Sequence, residues 1–269
     1  MGLIDLEEID ITPWCIRLKP AAAVSQELRL LQNDKGRIDF GDTTALNAYN
    51  RAAFKVMAGL ELTIPQGNLI PTACLRQAYL TILVEELLPR GSTIVEIGTG
   101  ATAVISMLAA KNHDLKVIAT EISSTSHEFA GVNISNNGLS DKITLLLSSG
   151  GIIRGVLDDL LSQQSVDAIL CYPPTYPEED SKFYHSPQQG SGFMGTVSEM
   201  IGGGDDGYTF IQQYIAEAAT SSITYITVLL IFEIHATKAM EQLRALDKSP
   251  RCINLRAGTR TRFLIIAKN

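Results

Sequence analysis

Thr93-Ile94-Val95-Glu96-Ile97-Gly98-Thr99-Gly100 is a short apolar, β-branched run that stops at a Gly-x-Gly turn. A helical pattern follows at once, from Ala101 to Lys111. An apolar run of this kind, with no polar face, suits a buried parallel strand. The glycines permit a tight turn, and their missing side chains let a ligand lie against the backbone. A second strand, Lys116–Glu121, ends in a carboxylate that can accept hydrogen bonds from the ribose hydroxyls of a nucleoside cofactor. Gly-x-Gly alone is an ordinary turn. Strand, turn, helix and acid in register make it a candidate cofactor shelf.

Outward from this stretch, strands and helices alternate. Strands are expected at 93–97, 116–121, 143–148, 166–171, 223–232, 251–256 and 262–267, and helices at about 101–111, 123–137, 152–163, 206–220 and 235–246. That order predicts an α/β fold with a mostly parallel seven-stranded sheet covered on both faces. The last two strands, joined near Gly258 with no helix between them, predict an antiparallel hairpin. Upstream, Asp42 or Thr43 caps a helix that runs to about Met57 and stops at Gly59. Pro71-Thr72 opens a helix over Ala73–Leu88, which Pro89-Arg90-Gly91 ends. Residues 1–41 show little periodicity, with Ile38-Asp39-Phe40 as one short strand. The expected division is a small N-terminal helical lobe, 1–72, and an α/β domain, 73–269.

A chain of 269 residues with 45% hydrophobic content can bury a large core. The four cysteines and four histidines are scattered without metal-ligand spacing, so no metal and no disulfide framework are expected, and the setting reads as cytoplasmic. The acidic start Met1–Asp10 speaks against a leader peptide. The apolar run around Ile223–Ile234 is too short to cross a bilayer. The net charge of −7 weighs mildly against a broad nucleic-acid footprint. The C-terminal segment nevertheless gathers Arg244, Lys248, Arg251, Arg256, Arg260, Arg262 and Lys268. A local basic surface and a solvated, mildly basic hairpin both fit that run.

The strand Val166–Cys171 leads into Tyr172-Pro173-Pro174-Thr175-Tyr176-Pro177. Ligands of open α/β sheets bind beyond the carboxyl ends of strands, near the switch between the first and fourth strands of such a fold. Two prolines remove two backbone donors and stiffen the turn, leaving carbonyls free to accept from an amino group. Tyr172 and Tyr176 can stack on a base. The long glycine-rich stretch 178–207 is either a lid over substrate or a plain surface insertion.

These residues resemble the S-adenosylmethionine-dependent adenine-N6 RNA methyltransferases that modify large-subunit ribosomal RNA in bacteria and spliceosomal small nuclear RNA in animals. The likeness covers roughly residues 36–265. It is carried by Leu69-Ile70-Pro71-Thr72-Ala73-Cys74-Leu75-Arg76, Glu96-Ile97-Gly98-Thr99-Gly100-Ala101, Ala119-Thr120-Glu121 and Asn136-Asn137-Gly138-Leu139-Ser140-Asp141. Further blocks are Gly195-Thr196-Val197-Ser198-Glu199-Met200, then Gly203-Gly204-Asp205-Asp206 with Phe210, and Gly258-Thr259-Arg260-Thr261-Arg262-Phe263.

The resemblance implies a class I, Rossmann-like methyltransferase fold with S-adenosylmethionine as cofactor and RNA as substrate. The implied cofactor-binding set is Arg76 near the methionine carboxylate, Glu96, Gly98, Thr99 and Gly100 at the shelf, and Glu121 at the ribose. The implied catalytic set is Tyr172, Pro173, Pro174 and Tyr176. The family carries Asn-Pro-Pro-Phe or Asn-Pro-Pro-Tyr where this chain has Tyr172-Pro173-Pro174-Thr175. In that family the Asn side chain and the first proline carbonyl accept hydrogen bonds from the adenine amino group. A tyrosine is longer, rigid and usually a donor, so the change bears on the acceptor more than on the cofactor. The expected function is adenine-N6 methylation of a structured RNA. The alternatives are methylation of another amine or amide, such as a protein glutamine, and a catalytically impaired cofactor-binding RNA-interaction protein. Gly98-x-Gly100-x-x-Ala103 also permits a dinucleotide oxidoreductase.

Overall fold

The structure, a computed structural model, describes residues 7–183 and 195–269, without the side chains of 181–183. It begins with a strand β1 (Glu7–Asp10), then helices α1 (Leu18–Val24), α2 (Gln26–Leu30), α3 (Thr43–Ala58) and α4 (Ala73–Glu86). The α/β alternation follows: β2 (Thr93–Ile97), α5 (Val104–Asn112), β3 (Lys116–Glu121), α6 (Ser124–Asn136), β4 (Ile143–Leu147), α7 (Asp158–Gln163) and β5 (Ala168–Cys171). After a short helix α8 (Val197–Met200) come α9 (Thr209–Ala218), β6 (Tyr225–Leu230), α10 (Glu233–Ala245), β7 (Arg251–Ala257) and β8 (Arg260–Lys268).

The strands form one sheet in the order β1-β7-β8-β6-β5-β2-β3-β4. Strands β4, β3, β2, β5 and β6 run parallel, and β8 lies antiparallel between β6 and β7. All seven expected strands are present. The eighth, β1, adds to the edge in parallel with β7, Glu7 lying opposite Ile253. Along β2 the pleat sends Ile94 into one core layer, with Tyr79, Leu83 and Met107, and Val95 into the other, with Ile118, Ile169 and Tyr214. Burial on both faces explains why the strand reads as a continuous apolar run. A satellite core of Leu28, Ile38, Ala45 and Ala48 joins α2 and α3 to the segment between them.

Three local expectations change. Ile38-Asp39-Phe40 is not a strand: Ile38 is a buried plug in the satellite core, and the chain turns after it. The expected helix over 152–163 begins only at Asp158. The Glu217 carboxylate, from α9, takes the N–H groups of Ile153 and Arg154 at 2.8 and 2.9 Å and holds that stretch as a turn. Helix α5 starts at Val104 rather than Ala101 because Ala103 adopts a left-handed conformation, φ 48°. Of the expected lid 178–207, the middle, 184–194, lies outside the described residues.

Candidate functional site

Strand β2 delivers Gly98 and Gly100 to the carboxyl edge of the sheet with φ of 69° and 67°, a region that glycine enters without strain. A Cβ on Gly98 would meet nothing within 4 Å, so the floor above this turn is open space. Glu121, ending β3, turns its carboxylate onto the same turn. Its Oε2 accepts the Gly100 N–H at 2.9 Å, and its Oε1 accepts those of Ile122 and Ser123 at 2.9 Å. Burial pushes its carboxyl above the usual carboxylate range, against those three N–H groups. A carboxylate offers about four acceptor positions, so one on Oε2 remains for a hydroxyl.

Glu96 lies under the turn. Its Oε2 accepts the Thr99 hydroxyl at 2.8 Å, the Ser106 N–H at 3.0 Å and the Ser106 hydroxyl. Burial raises its pKa, opposed by those hydrogen bonds and by the positive Arg76. Arg76, on α4, is 7% exposed, and burial lowers its pKa while Tyr172 and Glu96 oppose the change. Glu96 and Thr99 thus brace the turn from below, while Arg76 brings a buried cation to its side.

Two cavities adjoin the turn. The larger, about 200 Å³, lies between Glu121, the exposed apolar Ile122, Gly150-Gly151 and the Tyr172-Pro173-Pro174 turn. The smaller, about 60 Å³, holds Arg76, Glu96 and Thr99. Gly98 and Gly100 border both. The sequence-derived cofactor residues are therefore brought together, and an extended ligand with a ribose at one end and a carboxylate at the other fits the order of groups.

Strand β5 places Tyr172 at the switch between β5 and β2. Its hydroxyl accepts from Arg262 Nε at 3.2 Å, and the Arg76 guanidinium sits 5.2 Å from its ring centroid. Pro173 and Pro174 line the larger cavity. The turn is held from outside, since the Thr175 and Tyr176 N–H groups donate to Met200 O at 3.0 and 2.9 Å, and the Gly202 N–H donates to Tyr176 O. Tyr176 is not brought into the cavity lining. Its ring packs edge-on against Phe232, 5.6 Å between centroids, because its backbone is zippered to 200–202.

Sequence reading missed several residues of the lining. Phe210 and Gln213, from α9, wall the cavity, as does Ser198. Glu199 joins the loop to the Leu69 block, accepting from Asn68 Nδ2 at 3.2 Å and the Leu69 N–H at 3.1 Å. The blocks containing Ser198, Glu199 and Phe210 were visible as resemblance, but Gln213 left no signal. The C-terminal basic run is partly neutralised: Arg251 pairs with Glu7 and Glu86, and Arg256 with Glu8. Register places the start of β8 beside the carboxyl end of β6, Phe263 opposite Leu230, so Arg260 and Arg262 lie on the site's side of the sheet. Among the described residues no helix is long and apolar enough to cross a membrane, and no group of three or more His, Cys, Asp or Glu could hold a metal.

The protein MJ0046 of Methanocaldococcus jannaschii, which carries the name methyltransferase, is 35% identical over 192 residues, covering 69% of this chain and 70% of that protein. The RNA N(6)-adenosine-methyltransferase METTL16 of Homo sapiens is 26% identical over 209 residues, covering 72% of this chain but only 36% of its own length. The hMettl16 catalytic domain, solved in complex with a MAT2A 3′UTR hairpin, superposes with a TM-score of 0.79 at 23% identity, covering 93% of this chain and 90% of that one. At that identity the shared property is the fold, the class I methyltransferase architecture. The profile of a family described as RNA methyltransferase matches residues 19–217, and the chain belongs to that family.

Proposed function

We propose that this chain transfers a methyl group from S-adenosylmethionine to the N6 amino group of adenine in a structured RNA. The observation that carries the reading is that Glu121 and the Pro173-Pro174 turn face one cavity over the glycine floor. When bound, S-adenosylmethionine supplies an electrophilic methyl group on a sulfonium. Glu121 would hold the ribose, Arg76 the methionine carboxylate, and Ile122 an apolar ring face. The Pro173 carbonyl would accept one amino hydrogen of the acceptor and so aim the nitrogen lone pair. Tyr172 supplies what the family's Asn does not. Its oxygen accepts from Arg262, leaving its O–H to donate, and adenine carries ring-nitrogen acceptors next to its amino group. Holding nucleophile and methyl in line is where most of the acceleration arises, because the amine is a weak nucleophile.

Incubation with structured RNA and isotopically labelled S-adenosylmethionine, followed by nucleoside mass spectrometry, tests this. Labelled N6-methyladenosine, lost in Glu121→Ala, is expected. Label in unfolded or structured RNA at no adenine would overturn it.

A second reading rests on the same Tyr172 hydroxyl. An O–H donor facing the acceptor also suits the carbonyl of a side-chain amide, such as a glutamine. Label transferred to protein fractions and absent from RNA would favour it.

A further inference from the structure

Four of the described residues line both cavities: Gly98, Gly100, Tyr172 and Glu199. The glycines are the floor, so the junction between the cavities is walled by one aromatic ring and one carboxylate. Glu199 is half-buried and firmly held. Its Oε2 accepts the Thr196 N–H at 2.8 Å, the Thr196 hydroxyl at 3.1 Å and the Leu69 N–H at 3.1 Å. Its Oε1 accepts from Asn68 Nδ2 at 3.2 Å and lies 3.9 Å from the point a Cβ on Gly100 would occupy. With one bond made, Oε1 keeps a lone pair on the side of the floor. The other two acids serve other groups: Glu121 the turn, its flanking N–H groups and, in the reading above, the ribose, and Glu96 Ser106 and Thr99 beneath. Burial dominates the upward shift at Glu121 and the downward shift at Arg76, and the Glu199 charge adds to the first and opposes the second as the smallest of the causes.

Resting on the cofactor reading above, we infer that Glu199 recognises the sulfonium charge of the methyl donor and thereby discriminates the donor from its neutral thioether product. A ligand held by its ribose at Glu121 and its carboxylate at Arg76 crosses the junction with the atoms between those groups. In S-adenosylmethionine those atoms include the sulfonium. The product differs by one methyl and one positive charge and is otherwise the same molecule. A fixed carboxylate at the crossing holds the cation and gains nothing from the thioether, so product release follows from transfer. Glu199 is a specificity residue in this account, placed there by a loop block that sequence alone assigns no chemistry.

Isothermal titration of wild type and Glu199→Gln with S-adenosylmethionine and with S-adenosylhomocysteine tests the inference by affinity alone. The substitution is expected to weaken the sulfonium ligand about tenfold, the scale of a partly screened contact charge, and to leave the thioether within about twofold. Equal weakening of both ligands would mark Glu199 as merely structural and overturn the inference, as would no change in either. Should Glu199→Gln fail to fold, Glu199→Asp keeps the charge and withdraws it by one methylene. A ratio of affinities narrowed about threefold supports the inference by the same Coulombic scale, and an unchanged ratio overturns it. Wild type that binds neither ligand overturns the cofactor reading itself, a separate outcome from either variant result.

Discussion

At Gly98 the backbone and the ligand make the same demand. Its φ of 69° strains any side chain, and the space a side chain would fill is the open floor between the cavities. Gly98→Ala is therefore expected to lose about 1–2 kcal/mol in urea denaturation from the left-handed backbone alone. It should also lose the rise in melting temperature expected of the wild type with S-adenosylmethionine. Glu121 carries a pH signature. Its pKa is raised above 4.5, first by burial, and hydroxyl donors need the ionised carboxylate. Cofactor affinity measured by titration calorimetry should fall as pH drops through that elevated value, and the dependence should vanish in Glu121→Gln. For the unliganded fold the sign is opposite. A raised carboxylate pKa contributes stability that is fully present below 4.5 and lost as pH rises through the folded-state value. The acid is thus held at some expense to the empty protein. Its place was legible because a strand-end carboxylate after a glycine turn is a local pattern. Glu199 was not, because its meaning depends on Asn68 and Leu69, which only the fold brings to it.

Among elements, the Pro173-Pro174 turn owes its position to the loop that backs it. A Cβ on Gly202 would lie 2.1 Å from Gly207 O and 2.7 Å from Pro174 O, both rigid backbone. Gly202→Ala must displace the backbone at Gly207 or at the Pro174 turn, an overpacking of about 1–3 kcal/mol. Methyl transfer is expected to fall at least about tenfold, by the same energy scale, while S-adenosylmethionine affinity, read by calorimetry, stays near wild type. The bounds of β2 and β3 follow the sequence to the residue because their apolar runs are buried on both faces. Element ends elsewhere drifted where a distant side chain decided them, as Glu217 does for the turn before α7. Strand β1 escaped notice for a similar reason. Glu7-Glu8-Ile9-Asp10 is short, largely exposed and acidic, and it is a strand only because β7 offers an edge. Tyr176 likewise reads as a stacking partner by sequence, yet Met200 and Phe232 turn it aside.

For the molecule as a whole, a net charge of −7 would leave the proposed recognition of RNA to a local patch. Arg251 and Arg256 are paired with acids of β1 and α4, whereas Arg260 is exposed beside the site. Arg260→Glu should weaken RNA binding and lower the slope of log K against log salt by about one, with cofactor affinity unchanged; filter binding across a salt series reads both. Removing residues 7–10 should lower stability by about 2 kcal/mol or more through lost backbone pairing. It should also promote self-association of the bared β7 edge, visible in sedimentation. The placement of β1 has a consequence for biosynthesis. Its partner strand is separated from it by nearly the whole length of the chain. On the ribosome the parallel half around β2 and β3 can assemble while β1 still waits for β7, which is made about 240 residues later. Pairing over so long a span carries a large loop-closure cost, so the closing edge of the sheet is expected to form late, which pulsed hydrogen exchange at β1 and β7 would read.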